Sequence, residues 1–190
     1  MSLENILSFA RSVLERVVKP GDIVVDATIG NGHDTLFLAK LVGENGHVYG
    51  FDIQKEALSE TQKLLHSNEL FHRATLFHTG HEHILDVIPK DKHHQIKSAI
   101  FNLGYLPKSD KSITTRPETT ISAVQQILDV MAPKGIIVLV IYYGHSGGKI
   151  ERDALLRYTS NLNQKSFHVL QYSFINQINN PPFIIAIEKR

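Results

Sequence analysis

Hydrophobic residues recur along the chain with two alternating spacings. Residues 3–18 carry apolar side chains at helical intervals, and the all-apolar run Ile23-Val24-Val25 follows soon after Pro20-Gly21. Apolar positions at helical spacing predict an amphipathic helix, whereas a short continuous apolar run is typical of a strand that is covered on both faces. This alternation continues through most of the chain.

The alternation predicts five strands separated by helices, with two further strands at the end. Strands are expected at 23–25, 48–51, 75–77, 98–101 and 136–141, and then at 166–174 and 183–188. Helices are expected at 3–18, 33–42, 57–65, 82–88, 117–131 and 149–160, and a polar loop at 90–95. Strands that alternate with helices favour a parallel sheet with right-handed crossovers.

The last two strands are expected to pair differently, because only residues 176–182 separate them. A linker of this length cannot hold a crossover helix, so the two strands should form an antiparallel pair. The sequence therefore predicts a Rossmann-like α/β fold of the class I methyltransferase type. Its seven-stranded, mostly parallel sheet would carry helices on both faces and end in an antiparallel hairpin, all in a single domain over residues 1–190.

Composition narrows the possible functions. The 190 residues contain no cysteine, which excludes disulfides, thiolate metal sites and a cysteine nucleophile. The net charge of +1 is far from the basic excess of a protein that coats nucleic acid. No apolar run approaches the roughly 20 residues of a membrane span, and the N-terminus lacks a signal pattern. We therefore expect a cytoplasmic protein without a membrane partner.

The first strand runs into a glycine-containing loop that favours a nucleoside cofactor. Glycines allow a tight turn and a close approach to a ligand, but Thr35 occupies the third position of the G-x-G-x-x-G pattern. Asp26 at the strand end would repel a pyrophosphate and suits the cationic methionyl end of S-adenosylmethionine (SAM) instead. The predicted cofactor residues of this loop are Asp26, Thr28, Gly30, Asn31, Gly32, Asp34 and Thr35.

The next two strand ends extend the predicted cofactor site. Asp52 follows the second strand, where an acid can accept hydrogen bonds from both ribose hydroxyls of SAM or of NAD. The remaining predicted cofactor residues are Asp52 with Gln54, Gly80 with His81 on the adenine side, and Asn102 with Leu103 after the fourth strand. Asp52 would alternatively be only a helix cap. We predict no metal, because the histidines at 78, 81 and 83 lack a clear fourth ligand.

The fourth strand ends in Asn102-Leu103-Gly104-Tyr105, which is similar to the Asn-Pro-Pro-Tyr signature of amino-group methyltransferases. The Asn102 amide oxygen and the Leu103 carbonyl can accept the N–H bonds of an attacking amine and orient its lone pair. Tyr105 can stack on a target base. The alternative is a strand-end cap with a buried tyrosine.

The fifth strand ends in Tyr142-Tyr143-Gly144-His145, four residues predicted to contact substrate. His145 is predicted either to accept the proton of the amine or to anchor the loop. Basic residues in the segments after strands four and five are predicted to meet phosphates, with an ordinary charge-mixed surface as the alternative. These residues are Lys108, Lys111, Arg116, Lys149, Arg152 and Arg157.

The chain resembles the YtqB/MnmM group of SAM-dependent methyltransferases over essentially its whole length. The resemblance is carried by Asp26–Thr35, Asn102–Lys111, Tyr143-Gly144-His145 and residues 176–182. It implies an enzyme that binds the tRNA anticodon stem-loop. The implied reaction methylates the exocyclic amine of 5-aminomethyl-(2-thio)uridine at the wobble position. The resemblance also implies a homodimer.

Three other functions fit parts of the sequence. A methyltransferase that acts on rRNA or on a small-molecule amine would share the cofactor site. An NAD-dependent oxidoreductase is disfavoured by Thr35 and by the C-terminal hairpin. A non-catalytic RNA-binding module would keep the fold without using the cofactor residues.

Overall fold

A computed structural model describes residues 2–104 and 114–190. The helices are α1 (Ile6–Val17), α2 (His33–Leu41), α3 (Lys55–Ser67), α4 (Ile84–Val87), α5 (Pro117–Val130) and α6 (Gly148–Ser160). The strands are β1 (Ile23–Asp26), β2 (His47–Asp52), β3 (Ala74–His78), β4 (Ile96–Leu103), β5 (Ile136–Ile141), β6 (Phe167–Tyr172) and β7 (Phe183–Lys189). Short 3₁₀ turns lie at Phe71–Arg73, His81–His83 and Lys90–Gln95.

The strands form one seven-stranded sheet in the order β3-β2-β1-β4-β5-β7-β6. The first five strands are parallel, whereas β7 runs antiparallel to both β5 and β6. The predicted fold, including its antiparallel hairpin, is confirmed. The chain order reverses between β1 and β4, and in open α/β sheets ligands bind beyond the carboxyl ends of the strands at this position.

Helices cover both faces of the sheet, because neighbouring side chains of a strand point to opposite faces. On one face, α1, α2 and α3 pack on Val24, Ile100 and Val138. On the other face, α4, α5 and α6 pack on Val25 and Phe101. The all-apolar strands of the sequence are thus explained by burial on two sides.

Two local predictions differ from the structure. The helix expected at 82–88 is a 3₁₀ turn followed by the single turn of α4. The polar loop expected at 90–95 is also a 3₁₀ turn, in which His93 Nε2 lies 2.9 Å from the Ile88 carbonyl oxygen. Apolar spacing cannot show such turns, because they are too short to have a period.

Strand β4 is longer than its apolar run predicts. It continues through Asn102 and Leu103, since both residues remain in register with β5. The polar Asn102 is therefore held by the sheet itself rather than by a loop.

We predict that Leu155 of α6 contributes far more to stability than Ile150 of the same helix. Leu155 is fully buried, whereas Ile150 is 69% exposed. Leu155→Ala should lower the free energy of unfolding by about 2–4 kcal/mol. Ile150→Ala, the matched control, should change it by less than about 0.5 kcal/mol. Urea unfolding measures both values, and equal losses would contradict the assigned burial of α6.

Candidate active site

The loop after β1 is built on the buried carboxyl group of Asp26. Asp26 is 0% exposed, and its Oδ2 accepts a 2.6 Å hydrogen bond from the Thr35 hydroxyl. Its Oδ1 accepts a 3.2 Å bond from the backbone N–H of Thr28. The carboxyl group thus joins the start of the loop to the start of α2. The prediction that Asp26 faces the methionyl end of SAM has no support from this geometry, because the side chain points into the protein.

Burial also changes the charge of Asp26. It raises the pKa of this carboxyl from 3.8 to about 7, and the nearby carboxylate of Asp34 adds to the rise. The hydrogen bonds from Thr35 and Thr28 oppose the shift without cancelling it. Asp26 is therefore only partly ionised near neutral pH, which further reduces its value as a partner for a cation.

The tip of the same loop is fixed by Asp52 at the end of β2. The Oδ2 of Asp52 accepts a 2.9 Å bond from the Gly30 N–H, and its Oδ1 accepts a 2.9 Å bond from the Gln54 N–H. Asp52 thus caps the backbone, as the alternative prediction held. It is only half-buried, and the backbone N–H of Ile53 is a third donor to this carboxylate. A carboxylate can accept about four hydrogen bonds, so Asp52 can still accept a ribose hydroxyl and fits the ribose of SAM.

The loop packs closely on helix α3 through Gly32. The φ angle of Gly32 is +75°, and a Cβ atom there would lie 2.4 Å from the Thr61 hydroxyl oxygen. A side chain at this position would be strained and would clash. The exposed Asn31 lies beside it at the loop surface.

His81 lies on the predicted adenine side, after β3 and Gly80. Its Nδ1 is 3.1 Å from the Ala27 carbonyl oxygen, and its ring contacts Phe101 edge to face. Burial lowers the pKa of His81, so the ring is neutral near pH 7. Its buried Nε2 has no hydrogen-bond partner among the described residues. A buried polar atom of this kind calls for a partner from outside the chain, which suits a ligand pocket.

Asn102 lies at the end of β4, beside the cofactor loop. Its backbone N–H donates a 2.6 Å bond to the Thr28 hydroxyl, and its side-chain Nδ2 donates a 2.8 Å bond to Asp34 Oδ2. Asp34 in turn binds Arg11 of α1. The structure thus brings together three predicted residues, Asn102, Thr28 and Asp34. It adds Arg11, which the sequence did not single out because no local pattern marks it.

The carbonyl of Leu103 is already engaged. It accepts a 3.0 Å bond from the Tyr142 N–H, and Leu103 is 0% exposed, so this geometry gives no support to its predicted contact with an amine. The next residue, Gly104, has a φ of +151°, and a Cβ atom there would lie 3.3 Å from the Cβ of Tyr142. The glycine of this segment is therefore explained by the close approach of Tyr142.

His145 anchors the loop after β5. Its Nδ1 lies 2.9 Å from the Ser146 carbonyl oxygen, and its Nε2 lies 2.9 Å from the Tyr142 carbonyl oxygen. A neutral imidazole has one N–H and one nitrogen with a lone pair, and in His145 both nitrogens are directed at main-chain carbonyl oxygens. This geometry supports the alternative prediction that His145 anchors the loop. It gives no support to the prediction that His145 accepts the proton of the amine.

The two tyrosines after β5 have different surroundings. Tyr143 packs between the Arg152 guanidinium, 4.8 Å from its ring centre, and the ring of Phe183. These contacts place Tyr143 in the scaffold of the site, and Arg152 is also paired with Asp153. Tyr142 remains 37% exposed. Its pKa is raised by burial and then by the charge of Asp34, which places it on the Asn102 side.

A second buried carboxyl group supports the other side of Asn102. Glu151 of α6 accepts hydrogen bonds from the hydroxyls of Thr115 (2.6 Å) and Thr120 (2.8 Å). The Thr115 hydroxyl in turn accepts a 3.0 Å bond from the Gly104 N–H. Burial raises the pKa of Glu151. This cluster was missed, because only the fold brings these polar residues together.

The structure describes only some of the predicted substrate residues. Tyr105, Lys108 and Lys111 lie outside the described residues. Other predicted contact residues, Arg116, Gly144 and Lys149, are exposed near the carboxyl ends of β4 and β5. Arg157 is exposed too, but it lies in the last turn of α6, away from that end of the sheet, which gives no support to its predicted contact with phosphates.

The histidines at the end of β3 and after it contact separate partners. His78 contacts the Ile53 carbonyl, and His83 contacts Asp86. In the ranges 2–104 and 114–190, no group of three or more histidine, aspartate or glutamate side chains is arranged to hold a metal ion. None of the helices in these ranges has the length and apolar character needed to cross a membrane.

Comparison with known proteins shows the class to which this fold and site belong. A crystal structure of a "putative rRNA-methylase" from Clostridium thermocellum superposes with a TM-score of 0.96, at 45% identity over 100% of both chains. A "putative methyltransferase" from Streptococcus mutans, solved in complex with SAH, has a TM-score of 0.89 at 36% identity over 99% of both chains. The protein is a class I methyltransferase, and the methyl donor of this class is SAM.

The family can be stated as well. The family described as "Putative rRNA methylase" matches residues 48–188. An Arabidopsis thaliana protein, the chloroplastic tRNA (mnm(5)s(2)U34)-methyltransferase, is 34% identical over 188 residues, which cover 95% of this chain and 68% of the relative. The chain belongs to this methylase family, and the resemblance inferred from its motifs is confirmed.

We predict that Asp26 makes the protein less stable as the pH rises from about 4 to about 7. The folded state keeps the Asp26 proton up to about pH 7, whereas the unfolded chain releases it near the ordinary value of 3.8. The folded state therefore binds more protons across this window, so its stability falls with rising pH. Asp26→Asn keeps both hydrogen bonds, because the Thr35 hydroxyl can accept from the new amide. This variant should flatten the pH dependence of urea unfolding.

The control for this experiment is Asp91→Asn, which changes an exposed aspartate. It should leave the pH dependence of the wild type in place. The raised pKa values of Asp52 and Glu151 leave a smaller slope in Asp26→Asn. A slope as steep as that of the wild type would show that Asp26 is ionised in the folded protein.

Proposed function

We propose that this protein methylates the exocyclic amine of 5-aminomethyl-(2-thio)uridine at the wobble position of tRNA. The observation that carries the proposal is the side-chain amide of Asn102, held by Asp34 at the switch point of the sheet. The name of the Arabidopsis relative supports a tRNA wobble uridine as the substrate. The product would be the 5-methylaminomethyl nucleoside.

Asn102 would orient the amine. Because its Nδ2 donates to Asp34, its Oδ1 is the end of the amide that remains to accept an N–H bond. This oxygen can accept one N–H bond of a neutral amine. That contact limits the directions in which the nitrogen lone pair can point, and such orientation is a large part of catalysis between two bound reactants.

The cofactor site would lie along the ends of β1, β2 and β3. When bound, SAM supplies an electrophilic methyl group. Asp52 would hold the ribose hydroxyls, and the loop at Gly30 and Gly32 would approach the nucleoside closely. On the adenine side, His81 would offer its Nε2, which has no partner in residues 2–104 and 114–190.

The proton of the amine would leave to water. Attack by a neutral amine gives a secondary ammonium, and loss of one N–H proton from it restores neutrality. Both nitrogens of His145 face carbonyl oxygens, so solvent is the acceptor that the geometry favours. No strong base is needed, because the product ammonium exchanges protons readily with water.

The RNA would approach over the ends of β4 and β5. Bases of a single-stranded anticodon loop are recognised by stacking and by contacts to their edges, and Tyr142 offers an exposed ring. Arg116 and Lys149 are exposed cations that can meet phosphates. The anticodon stem-loop as partner is part of this proposal.

A homodimer and a cytoplasmic location stay predictions. The exposed Val169 and Leu170 of the edge strand β6 would support pairing of two copies at this edge. Sedimentation of the purified protein tests the oligomeric state.

We predict that the protein adds one methyl group to tRNA from cells that lack this modification. The purified enzyme, SAM and bulk tRNA are incubated, and the nucleosides are then analysed by mass spectrometry. Conversion of 5-aminomethyl-(2-thio)uridine to its methylated form is the expected result. Since the family description names rRNA, deproteinised rRNA and small amines serve as the comparison substrates. Methylation of these alone would refute the tRNA proposal.

We predict that Asn102 and Asp52 act on different kinetic constants. Asn102→Ala should lower kcat by about a hundredfold with little change in SAM affinity, because it removes an orienting acceptor. Asp52→Ala should instead weaken SAM binding by more than about tenfold, because it removes the ribose acceptor. Isothermal titration and steady-state kinetics measure these effects.

Asn68→Ala, at the exposed end of α3, is the matched control for both variants. It should leave kcat and SAM affinity at the wild-type values. An active Asn102→Ala enzyme would remove the orienting role, and unchanged SAM affinity in Asp52→Ala would remove the ribose contact.

A further inference from the structure

We propose that Arg11 and Asp34 form a positioning relay that sets which end of the Asn102 amide faces the substrate. This inference rests on the proposed function, because it assigns two further residues to the same site. Arg11 lies on α1, Asp34 on α2 and Asn102 on β4, so three separate elements meet at one carboxylate.

The relay is a continuous chain of hydrogen bonds. The Arg11 guanidinium donates to Asp34 Oδ1 through Nε at 3.3 Å and through Nη2 at 3.1 Å. The other oxygen, Asp34 Oδ2, accepts the 2.8 Å bond from Asn102 Nδ2. The Asp34 side chain is only 14% exposed, so these partners satisfy it largely out of water.

Asp34 can select one orientation of the amide because an ionised carboxylate only accepts hydrogen bonds. An asparagine side chain has an oxygen and a nitrogen end of similar size, and rotation about its last torsion exchanges them. Facing Asp34, the nitrogen end gains a charge-assisted bond, whereas the oxygen end would be repelled. The acceptor end of Asn102 is therefore turned away from Asp34 and towards the site.

The backbone of Asn102 is held independently of this selection. Its N–H donates to the Thr28 hydroxyl, and its strand is paired with β5. Loss of Asp34 would therefore release the amide rotation without moving the strand. This separation distinguishes a positioning role from a general structural one.

Arg11 fixes the carboxylate that makes the selection. With both donors on Oδ1, Asp34 is held so that Oδ2 points to Asn102. The guanidinium also lies 5.3 Å from the centre of the Phe37 ring, which limits its own movement. Arg11 is 43% exposed, so we expect its removal to have a smaller effect than the loss of Asp34.

The helix that carries Arg11 is attached to the far end of the sheet. The rings of Phe9 and Tyr172 stack at 3.9 Å, and the Tyr172 hydroxyl donates a 2.7 Å bond to the Glu4 carbonyl. These contacts hold α1 against the C-terminal hairpin. A helix that precedes the nucleotide-binding half of the fold thus reaches the reaction site.

The first test is Asp34→Asn, which keeps the shape of the side chain but can pair with either end of the Asn102 amide. We expect kcat to fall about ten- to a hundredfold, with SAM affinity within about twofold of the wild type. Arg11→Ala should give a smaller fall in kcat. Arg16→Ala, an exposed arginine of the same helix, is the matched control and should behave as the wild type.

A double-mutant cycle separates positioning from other roles of Asp34. If Asp34 acts through Asn102, Asp34→Asn should have no further effect on kcat once Asn102 is alanine. Additive effects of the two substitutions would overturn the relay. A large loss of SAM affinity in Asp34→Asn would overturn it as well, because Asp34 would then be a cofactor ligand.

The relay can also be tested without substrate, so that the result does not depend on the tRNA assay. The side-chain NH2 signals of Asn102 are assigned in a ¹⁵N spectrum by their absence in Asn102→Ala. Their exchange with water should be slow in the wild type and at least about fivefold faster in Asp34→Asn, because the bond to Asp34 protects them. Equal exchange rates would refute the relay. If tRNA is not methylated, the proposed function fails, and this exchange result still decides whether the relay exists.

Discussion

The buried carboxyl group of Asp26 is the constraint on which the site depends. It holds Thr28 through a backbone N–H and Thr35 through a hydroxyl. The Thr28 hydroxyl then accepts the backbone N–H of Asn102, and Thr35 lies in the first turn of the helix that carries Asp34. Burying an acid is costly unless its oxygens are paired. Here the hydrogen bonds of the Asp26 carboxyl hold the predicted cofactor loop, and through Thr28 they also hold the end of β4.

Asn102 is supported by a buried acid on each side. On the side of the predicted cofactor loop, Asp26 is linked to Asn102 through Thr28. On the opposite side, Glu151 is linked through the Thr115 hydroxyl to the N–H of Gly104. Burial raises the pKa of both carboxyl groups, and each accepts two hydrogen bonds from neighbouring groups. Because interiors are close-packed and transmit strain, a change at either acid should reach Asn102 without touching the substrate.

The sequence predicted the fold well because burial and periodicity are local properties. Each strand was located by its apolar run, and the short 176–182 linker predicted the antiparallel hairpin. The orientation of polar side chains was less predictable. The Asp26 side chain faces inward because it binds Thr28 and Thr35, and His145 faces two carbonyl oxygens. The spacing of apolar and polar residues in the sequence does not show these hydrogen-bond partners. Arg11 was missed for the same reason, since its contact with Asp34 exists only after α1 has packed on the sheet.

The amide at position 102 fits the proposed methylation of an amine better than an acid would. An amine attacks only in its neutral form, and a carboxylate beside it would favour the ammonium by raising its pKa. The neighbourhood already contains the carboxyl groups of Asp26, Asp34 and Asp52. Arg11 compensates the charge of Asp34, and burial leaves Asp26 only partly ionised. A neutral acceptor at Asn102 can then orient the amine without holding its proton in place, which is why an asparagine with a fixed orientation suits this position.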